Sequence, residues 1–375
     1  MRRSTTAGVY SDSLTMNRRL LAIAPVDRPG GAEIHLLRLL AGLRPRGWTP
    51  TLTTPGHGEL REAAVQAGYA WRALPLGDLG RGAGARAIGS WPAARVLAGR
   101  SDVVYLNGAV CGRLLPALAT FAGRSQRPKR VLHIHDMVRR VPRFWREADT
   151  VLADSQAVAD RLTGLNPHVV YGPVQSDPPA AQAPWPTNHD RPGAPDGPDG
   201  PGGPDRPVVG FVGRIEPRKG PLDLVRAAPA IRRGAPGARI VIVGEDPYGS
   251  DPAYTEAVLS SCEIEHYPWT DNVPGLMRHL DVLVLPSYQE PFGTVLAEAM
   301  AVGTPVVATR VDGLVEVVED GVAGRLVAPG DPEALATAVL DVLAHRDAMG
   351  AAALRSARRF LVEEYVERVE RLITP

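Results

Sequence analysis

Apolar positions along the chain fall into short blocks separated by polar, glycine-rich or proline-rich turns. The first block, residues 19–24, has the length of a buried strand, and residues 33–43 after it are apolar at helical spacing. This alternation continues along the chain and predicts parallel sheets covered by helices, an α/β fold. The further predicted strands are residues 103–106, 131–134, 150–153, 168–171, 208–212 and 281–285.

The alternation is interrupted between residues 175 and 207. Proline, glycine and aspartate dominate this stretch, and because such a composition cannot bury a core, we expect a disordered linker. It separates a first half, residues 18–174, from a second half, residues 208–358. Residues 1–17 are polar and lack the apolar core of a signal peptide, so we expect a disordered lead-in. At 375 residues the chain is long enough for two domains.

The composition narrows the range of partners and compartments. A net charge of +1 gives no basis for a nucleic-acid partner. Cys111 and Cys262 lack C-x-x-C neighbours, which argues against a disulfide framework or a zinc site and fits a reducing cytoplasm. No apolar run approaches the roughly 18 residues that span a bilayer. Arginine-rich residues 38–46 and 139–146 are compatible with peripheral membrane contact, but a solvated helix face explains them more simply.

Two carboxylates, Glu290 and Glu298, stand eight positions apart at a strand–loop–helix junction. The strand before them ends at Pro286, and the apolar run from Thr294 keeps helical spacing up to the helix stop at Gly303. We therefore expect Glu290 in the loop at the carboxyl end of a strand and Glu298 inside the helix. The start of that helix offers unpaired N–H groups to phosphate or sugar oxygens. These are the amides of Phe292, Gly293, Thr294 and Val295.

Residues 290–298, with the G-T-P-V-V-A sequence that follows, resemble the E-x7-E motif of retaining GT-B glycosyltransferases, in particular family 4. The resemblance implies a GT-B fold, in which two Rossmann-like domains with parallel sheets face each other across a cleft. It implies that the first domain binds the acceptor and the second the nucleotide sugar, and that residues 359–375 return to the first domain as a helix. It also implies that Glu290 faces the donor sugar and that Glu298 holds the ribose. An ordinary α/β unit with two surface glutamates is the alternative.

A second motif, residues 213–220, directly follows a predicted strand and reads G-R-I-E-P-R-K-G. Gly213 allows close approach of a ligand, and Arg214 and Lys219 can flank a diphosphate and stabilise its charge as the glycosidic bond breaks. The chain has only two lysines against forty arginines, so the lysine at position 219 is one that arginine has not replaced. The motif resembles the G-R-x4-K-G element of the same family. A solvated basic loop is the alternative, and it describes Arg218 better.

Weaker signals come from the first half. Gly30 and Gly31 suit either a tight turn or a loop that approaches the acceptor and the donor diphosphate. His133 and His135 share one face of a strand, and the resemblance implies that His135 reaches the donor sugar while His133 is structural. Metal binding by this pair lacks further ligands at a suitable spacing. Asn107 follows another strand and is a candidate on the acceptor side.

The sequence therefore predicts a retaining, metal-independent glycosyltransferase without a cofactor. It would transfer a sugar from a UDP- or GDP-sugar to a small-molecule, glycan or lipid acceptor, in bacterial natural-product or cell-envelope biosynthesis. Two alternatives remain: a nucleotide-sugar 2-epimerase on the same fold, and a non-catalytic subunit that binds sugar nucleotides. Residues 267–269 depart from the family pattern in the segment that approaches the base, so the sequence leaves the base open, as well as the acceptor and the oligomeric state.

Overall fold

The computed structural model describes residues 17–76, 87–120, 127–185, 206–247, 249, 251–270 and 272–375. Except for Asn17, the predicted lead-in lies outside these residues, and so do residues 186–205 of the predicted linker. The described strands form two separate, fully parallel sheets, one in each half of the chain.

The first sheet has seven strands in the spatial order β3-β2-β1-β4-β5-β6-β7. Its strands are Arg18–Ile23 (β1), Trp48–Thr54 (β2), Ala70–Ala73 (β3), Val103–Asn107 (β4), Lys129–Ile134 (β5), Thr150–Ala153 (β6) and Pro167–Val169 (β7). Its described helices are Gly31–Leu43 (α1), Glu59–Gln66 (α2), Trp91–Ala98 (α3), Leu115–Ala119 (α4) and Gln156–Ala159 (α5). Both faces of the sheet carry a buried apolar cluster, as expected for parallel strands covered on both sides.

The second sheet has six strands in the order β10-β9-β8-β11-β12-β13. Its strands are Val208–Val212 (β8), Arg239–Val243 (β9), Glu265–Tyr267 (β10), Val282–Leu285 (β11), Val306–Thr309 (β12) and Gly324–Val327 (β13). Its helices are Pro221–Gly234 (α6), Pro252–Leu259 (α7), Val273–Met277 (α8), Thr294–Ala301 (α9), Leu314–Val317 (α10), Pro332–Ala344 (α11) and Arg346–Ser356 (α12). The predicted α/β architecture with two parallel sheets is confirmed.

In each sheet the strand order reverses beside the first strand. β1 lies between β2 and β4, and β8 lies between β9 and β11. Connections that leave two such neighbours run to opposite faces of the sheet, and they open a crevice at the carboxyl ends where ligands bind in folds of this class. The loops after β1, β4, β8 and β11 hold most of the candidate residues from the sequence.

The chain crosses between the two halves at Val174 and returns at Leu361, and these two crossings pair with each other. The N–H of Val174 donates to the carbonyl of Phe360 at 2.7 Å, and the N–H of Val362 donates to the carbonyl of Val174 at 3.0 Å. Helix Val362–Ile373 (α13) then packs on α1, with Tyr365, Val366, Val369 and Ile373 in the same apolar cluster as α1. The last helix thus lies on the first sheet's domain, as the resemblance implies.

The predicted linker begins later than its composition suggests. Trp185 is 2% exposed and packs in the core of the second domain, where its ring centroid lies 5.5 Å from that of Tyr267. The side-chain amide of Asn272 donates to the carbonyl of Pro179 at 2.8 Å. The expectation that no core is buried is therefore wrong for residues 175–185, because an average over many polar residues hides one large apolar anchor.

Candidate active site

Lys219 and Glu290 form an ion pair at the carboxyl ends of β8 and β11. The Lys219 ammonium donates a short hydrogen bond to Oε2 of Glu290, and the two side chains are only 15% and 9% exposed. The hydroxyl of Ser287 adds a longer contact of 3.4 Å to the same oxygen. A cation and a carboxylate that were 71 positions apart in the sequence therefore meet at the mouth of the crevice.

Gly220 explains how the loop after β8 brings Lys219 to this place. Its φ is +69°, and a Cβ on it would lie 2.1 Å from the carbonyl oxygen of Pro286. Only glycine tolerates both the left-handed backbone and this approach. The loop after β8 therefore lies directly against the end of β11, and α6 begins immediately after it.

The other two basic residues of this loop share an acidic partner. Glu216 lies 2.8 Å from a guanidinium nitrogen of Arg218 and 3.4 Å from one of Arg214. Arg218 also donates to the carbonyl of Gln289 at 2.9 Å and lies 4.0 Å from Glu290. The prediction of a solvated role for Arg218 is wrong, because Arg218 ties its loop to the strand end that carries Glu290. Arg214 keeps 42% of its side chain exposed.

The start of α9 forms the adjacent wall. Gly293, with φ +91°, precedes the helix, and the N–H groups of Thr294 and Val295 have no intrahelical acceptor. No described residue accepts a hydrogen bond from these two N–H groups. The ring of Phe292 is buried against Tyr171 and Phe360, with ring centroids 5.8 and 5.4 Å apart, so only its backbone is left for a ligand.

Glu298 meets a residue of the other domain. Oε1 of Glu298 accepts from the guanidinium of Arg38 on α1 at 2.8 Å, and Arg38 also donates to the carbonyl of Pro173 at 2.6 Å. Burial raises the pKa of Glu298, and the charge of Arg38 opposes that rise. Arg38 therefore belongs to an interdomain ion pair and not to a solvated basic face, which also removes it from any membrane contact.

Four further hydrogen bonds cross between the domains. His35 on α1 lies 2.9 Å from the hydroxyl of Thr294, and the hydroxyl of Ser155 donates to the carbonyl of Pro291 at 2.5 Å. The carboxylate of Glu316 accepts from the N–H groups of Gln156 and Ala157 at 2.8 and 2.9 Å. The two sides of the crevice are thus already in direct contact near α9.

A buried cluster of titratable side chains lies beneath these contacts. Asp154 follows β6, and its Oδ2 lies 2.8 Å from Nδ1 of His135, while its Oδ1 lies 2.8 Å from Nε2 of His133. The second contact is poorly aligned for a hydrogen bond. Nδ1 of His35 approaches Oδ2 of Asp154 to 3.9 Å. Sequence spacing could not reveal this cluster, because β5, β6 and α1 contribute to it from distant parts of the chain.

Burial and mutual charge shift the pKa values of the cluster in opposite directions. Burial lowers the pKa of His35 to about 3 and that of His133 to about 4, so both rings are neutral at pH 7. Burial also acts against charge on His135, but the nearby Asp154 carboxylate raises the pKa of His135 above its ordinary value. Burial likewise opposes charge on Asp154, yet His135 and His133 hold its pKa well below the usual range.

Two predicted site residues, His135 and Asn107, contact polar side chains of the first domain. Nε2 of His135 lies 2.9 Å from Oδ1 of Asn107, and the amide nitrogen of Asn107 lies 3.4 Å from Oε1 of Glu33. Both ring nitrogens of His135 therefore have partners, and Asn107 is 1% exposed. Asp154 and Asn107 thus engage His135, and Glu33 lies near Asn107. Contact of His135 with the donor sugar and of Asn107 with the acceptor stays a prediction.

Of the glycines predicted to approach a ligand, Gly30 and Gly31 are open to one, whereas the amide of Gly213 is already bonded. Gly30 and Gly31 are exposed at the start of α1, and a Cβ on Gly31 would meet nothing within 4 Å. The N–H of Gly30 donates to the carboxylate of Glu33 at 3.1 Å. Gly213 donates its N–H to the carbonyl of Val243 at 3.0 Å, so its amide continues the sheet and is not available to a ligand.

Comparison with known proteins identifies the family. The model described as Glycosyltransferase Family 4 matches residues 29–177, and the model described as Glycosyl transferases group 1 matches residues 206–345. The chain belongs to the group 1 glycosyltransferases of family 4. The match to this glycosyltransferase family covers both domains and leaves out most of the segment between them.

Curated glycosyltransferases show the same relationship over shorter regions. The glycogen synthase of Mycobacterium tuberculosis is 32% identical over 231 residues, which are 59% of this chain and 51% of the relative. The D-inositol 3-phosphate glycosyltransferase of Salinispora arenicola is 42% identical over 137 residues, 33% of this chain and 31% of the relative. The chain thus spans about half, or less, of the length of the curated glycosyltransferases that it matches.

Solved glycosyltransferase structures share the fold. Anabaena Alr3699/HepE, crystallised with UDP and glucose, has a TM-score of 0.74 and 21% identity, over 94% of this chain and 98% of that chain. A glycosyltransferase from Rickettsia africae has a TM-score of 0.76 and 18% identity, over 96% and 98%. The predicted GT-B architecture is confirmed. In the parts of the chain that the structure describes, no helix combines the length and hydrophobicity needed to cross a bilayer.

Proposed function

We propose that the protein is a retaining glycosyltransferase that transfers a sugar from a nucleotide-sugar donor to an acceptor hydroxyl or amine. The observation that carries the proposal is the Lys219–Glu290 pair beside the open N-terminus of α9. A cation, a carboxylate and unpaired amides at the carboxyl ends of two switch-point strands match the needs of a diphosphate and a sugar. The donor is a UDP- or GDP-sugar, and the UDP and glucose bound to Alr3699/HepE favour UDP.

In this proposal each residue has one role. Arg214 and Lys219 stabilise the diphosphate as it gains charge, and the amides of Thr294 and Val295 bind phosphate or sugar oxygens. Glu290 orients the donor sugar. Glu298 accepts from the ribose hydroxyls with the acceptor sites that Arg38 does not use, since a carboxylate offers about four. The exposed Gly30 and Gly31 leave open space at the start of α1 for the donor diphosphate and the acceptor.

The reaction breaks the bond between the anomeric carbon and the diphosphate oxygen and forms a bond from that carbon to the acceptor. The nucleoside diphosphate leaves with the bonding electron pair. The acceptor attacks on the same face, and its proton passes to the leaving phosphate oxygen, so the anomeric configuration is retained. The positive charges of Arg214 and Lys219 stabilise the leaving group in place of a metal ion.

A thermal-shift titration with UDP, GDP, ADP and dTDP, without added metal, tests nucleotide binding. At a hundred times its dissociation constant, a bound nucleotide adds about 2.7 kcal/mol to the free energy of unfolding. We expect a shift with one nucleotide, lost in Lys219→Ala and kept in Lys129→Ala. Lys129 is the matched control because it is the other lysine of the chain and its ammonium donates to the carbonyl of Thr374 at 2.9 Å, far from the loop after β8. No shift with any nucleotide contradicts the proposal.

Product analysis with the matching donor sugar then tests the reaction. Arg214→Ala is expected to lower kcat by a hundredfold or more, on the order of the loss of one preorganised charge contact. Conversion of the donor sugar at position 2 without an acceptor identifies a 2-epimerase instead. If the protein binds the nucleotide but transfers no sugar to any of a panel of acceptors, it is a non-catalytic subunit.

A further inference from the structure

The three histidines of the buried cluster are arranged alike. Each has one ring nitrogen on an oxygen outside the cluster: the hydroxyl of Thr294 for His35 Nε2 at 2.9 Å, the hydroxyl of Tyr105 for His133 Nδ1 at 2.6 Å, and Oδ1 of Asn107 for His135 Nε2 at 2.9 Å. The other nitrogen of each ring points to Asp154. All three rings are therefore fixed in orientation by an outer partner, with their second nitrogen turned inward.

Two inward ring nitrogens make no hydrogen bond with a described residue, Nε2 of His133 and Nδ1 of His35. Nε2 of His133 still lies 2.8 Å from Oδ1 of Asp154. Nδ1 of His35 is buried and makes no hydrogen bond with any described residue, and Oδ2 of Asp154 lies 3.9 Å away, beyond hydrogen-bond range. A buried polar atom without a partner is costly and needs an explanation. The ligand atoms of His35, His135 and Asp154 all lie within 4.8 Å of one another, which is close enough for one ion to contact all three.

We propose that His35, His135 and Asp154 bind one divalent transition-metal ion, with zinc the ion of best fit. Two imidazole nitrogens and one carboxylate oxygen are ligands of the type that zinc binds at about 2.0–2.2 Å, and a water molecule would be the fourth ligand of a tetrahedral set. Tetrahedral ligands at that radius stand about 3.4 Å apart. Oδ2 of Asp154 lies 2.8 Å from Nδ1 of His135 and 3.9 Å from Nδ1 of His35, on either side of this value. Side-chain rotations that move the ligand atoms by about 1 Å would place all three around one ion.

A bound ion also satisfies the hydrogen bonds of the cluster. Nδ1 of His135 gives up its proton to solvent and turns its lone pair to the ion, while Nε2 keeps the proton that it donates to Asn107. Nδ1 of His35 binds the ion, and Nε2 donates to the hydroxyl of Thr294. Nε2 of His133 lies 2.8 Å from Oδ1 of Asp154, the carboxylate oxygen that the ion does not need, and the rotation of Asp154 toward the ion would allow it to donate there. The outer oxygens are the kind of second shell that orients metal-bound histidines.

The ligands of this site are not the side chains proposed to act on the diphosphate and the donor sugar, although the site adjoins the donor-binding wall at Thr294. None of its ligands contacts Glu290, Lys219 or Arg214, and all three come from the first domain. The ion would join α1 to the ends of β5 and β6. Thr294, at the start of α9, links it to the second domain through His35. The proposed ion is therefore structural, and transfer without a metal at the diphosphate is compatible with it.

The test uses full-length protein without a histidine tag. We expect elemental analysis to find one zinc per chain after purification and gel filtration. After removal of zinc with a chelator, added Co²⁺ should give the intense visible absorption of tetrahedral coordination with nitrogen and oxygen ligands. Zinc should also raise the Tm of the zinc-free protein, because it binds the folded state. None of these three readouts depends on nucleotide binding or turnover.

Variants locate the ion. Asp154→Asn and His35→Ala should lose it, whereas His168→Ala, which changes an exposed histidine on β7, should keep it. Thr294→Val leaves all ligands in place and should weaken zinc binding by about 10- to 100-fold through loss of a second-shell partner. Thr337→Val, on the exposed surface of α11, is its control and should have no effect.

Measurements on the wild-type protein are enough to overturn the proposal. They do so if the protein binds less than about a tenth of a zinc ion per chain after incubation with zinc and shows no visible absorption with Co²⁺. That result would indicate that a buried water satisfies His35 instead. Equal zinc content in the wild type and in a folded Asp154→Asn variant would also overturn it. Circular dichroism of each variant separates loss of the ion from loss of the fold.

Discussion

Asp312 controls the position of Glu290 through the backbone. Among the described residues it is the one non-glycine in the left-handed region, with φ +39°. Its Oδ2 accepts from the N–H of Glu290 at 3.1 Å, and the N–H of the next residue, Gly313, donates to the carbonyl of Glu290 at 3.1 Å. Both peptide groups of Glu290 are thus held by this turn. Aspartate and asparagine occupy left-handed backbone at lower cost than other non-glycine residues.

Substitutions at Asp312 should follow the order that this geometry sets. Asp312→Asn keeps an acceptor and the backbone preference, Asp312→Gly keeps only the backbone, and Asp312→Ala loses both. We expect the free energy of unfolding to fall in that order, with alanine about 2 kcal/mol below the wild type. Urea denaturation followed by circular dichroism measures it. Equal stability of the alanine and asparagine variants would show that the turn does not constrain Glu290.

The residues of the site were predictable where one local stretch carries the chemistry. Glu290, Lys219 and the start of α9 follow from strands that end and helices that begin within about ten positions. Asp312 and the partners of His135 were not predictable. Their roles depend on contacts such as the one between His35 and Asp154, 119 positions apart, and spacing along a sequence carries no information on such contacts.

At the scale of elements, the junction of α1 and α13 depends on the absence of a side chain. A Cβ on Gly42 would lie 2.4 Å from Cγ2 of Val366. The indole N–H of Trp48 on β2 donates to Glu370 on α13 at 2.8 Å, which ties α13 to the first sheet beside this junction. Glycine costs a helix about 1 kcal/mol relative to alanine, and here that cost is offset by the close approach of α13.

A double-mutant cycle tests this approach. Gly42→Ala should lower the free energy of unfolding by about 1–3 kcal/mol through overpacking, despite the better helix propensity of alanine. Val366→Ala should also destabilise, because it leaves a cavity. In the double variant the alanine at 42 fills the space, so the loss should be smaller than the sum. Additive losses in urea denaturation would contradict the packing.

The elements themselves were predictable to different degrees. Buried strands with continuous apolar runs, such as β8 and β11, match their predicted bounds closely. β2 and β3 were not predicted. β2 contains four threonines and a proline, and three of the four residues of β3 are exposed at the edge of the sheet. Their strand conformation comes from pairing with β1 and with each other, which overrides weak local propensity.

At the scale of the whole molecule, Glu316 holds the two domains together. Its carboxylate accepts from two backbone N–H groups at the start of α5, and Arg359 donates to its carbonyl at 2.6 Å. Hydrogen bonds to a charged acceptor are stronger than those between neutral groups. The contact therefore favours the arrangement in which the crevice is narrow.

Glu316→Ala should shift the molecule toward a more open arrangement. A loss of about 2 kcal/mol would change the ratio of open to closed forms by about thirtyfold. Small-angle X-ray scattering should then show a larger radius of gyration, which added nucleotide reduces. Glu319→Ala, which changes an exposed glutamate on the loop after α10, is the control. Unchanged scattering in Glu316→Ala would mean that the other interdomain contacts hold the closed form on their own.

The paired crossings at Val174 and Leu361 determine how such an opening can proceed. The outgoing and returning segments are hydrogen-bonded to each other. They therefore form a single hinge, and we expect the two domains to rotate relative to each other about an axis through this pairing. Displacement grows with distance from that axis. Pro173, to which Arg38 donates a hydrogen bond, lies next to this pairing, so we expect the contact between Arg38 and Glu298 to change less on opening than contacts on the far rim of the crevice.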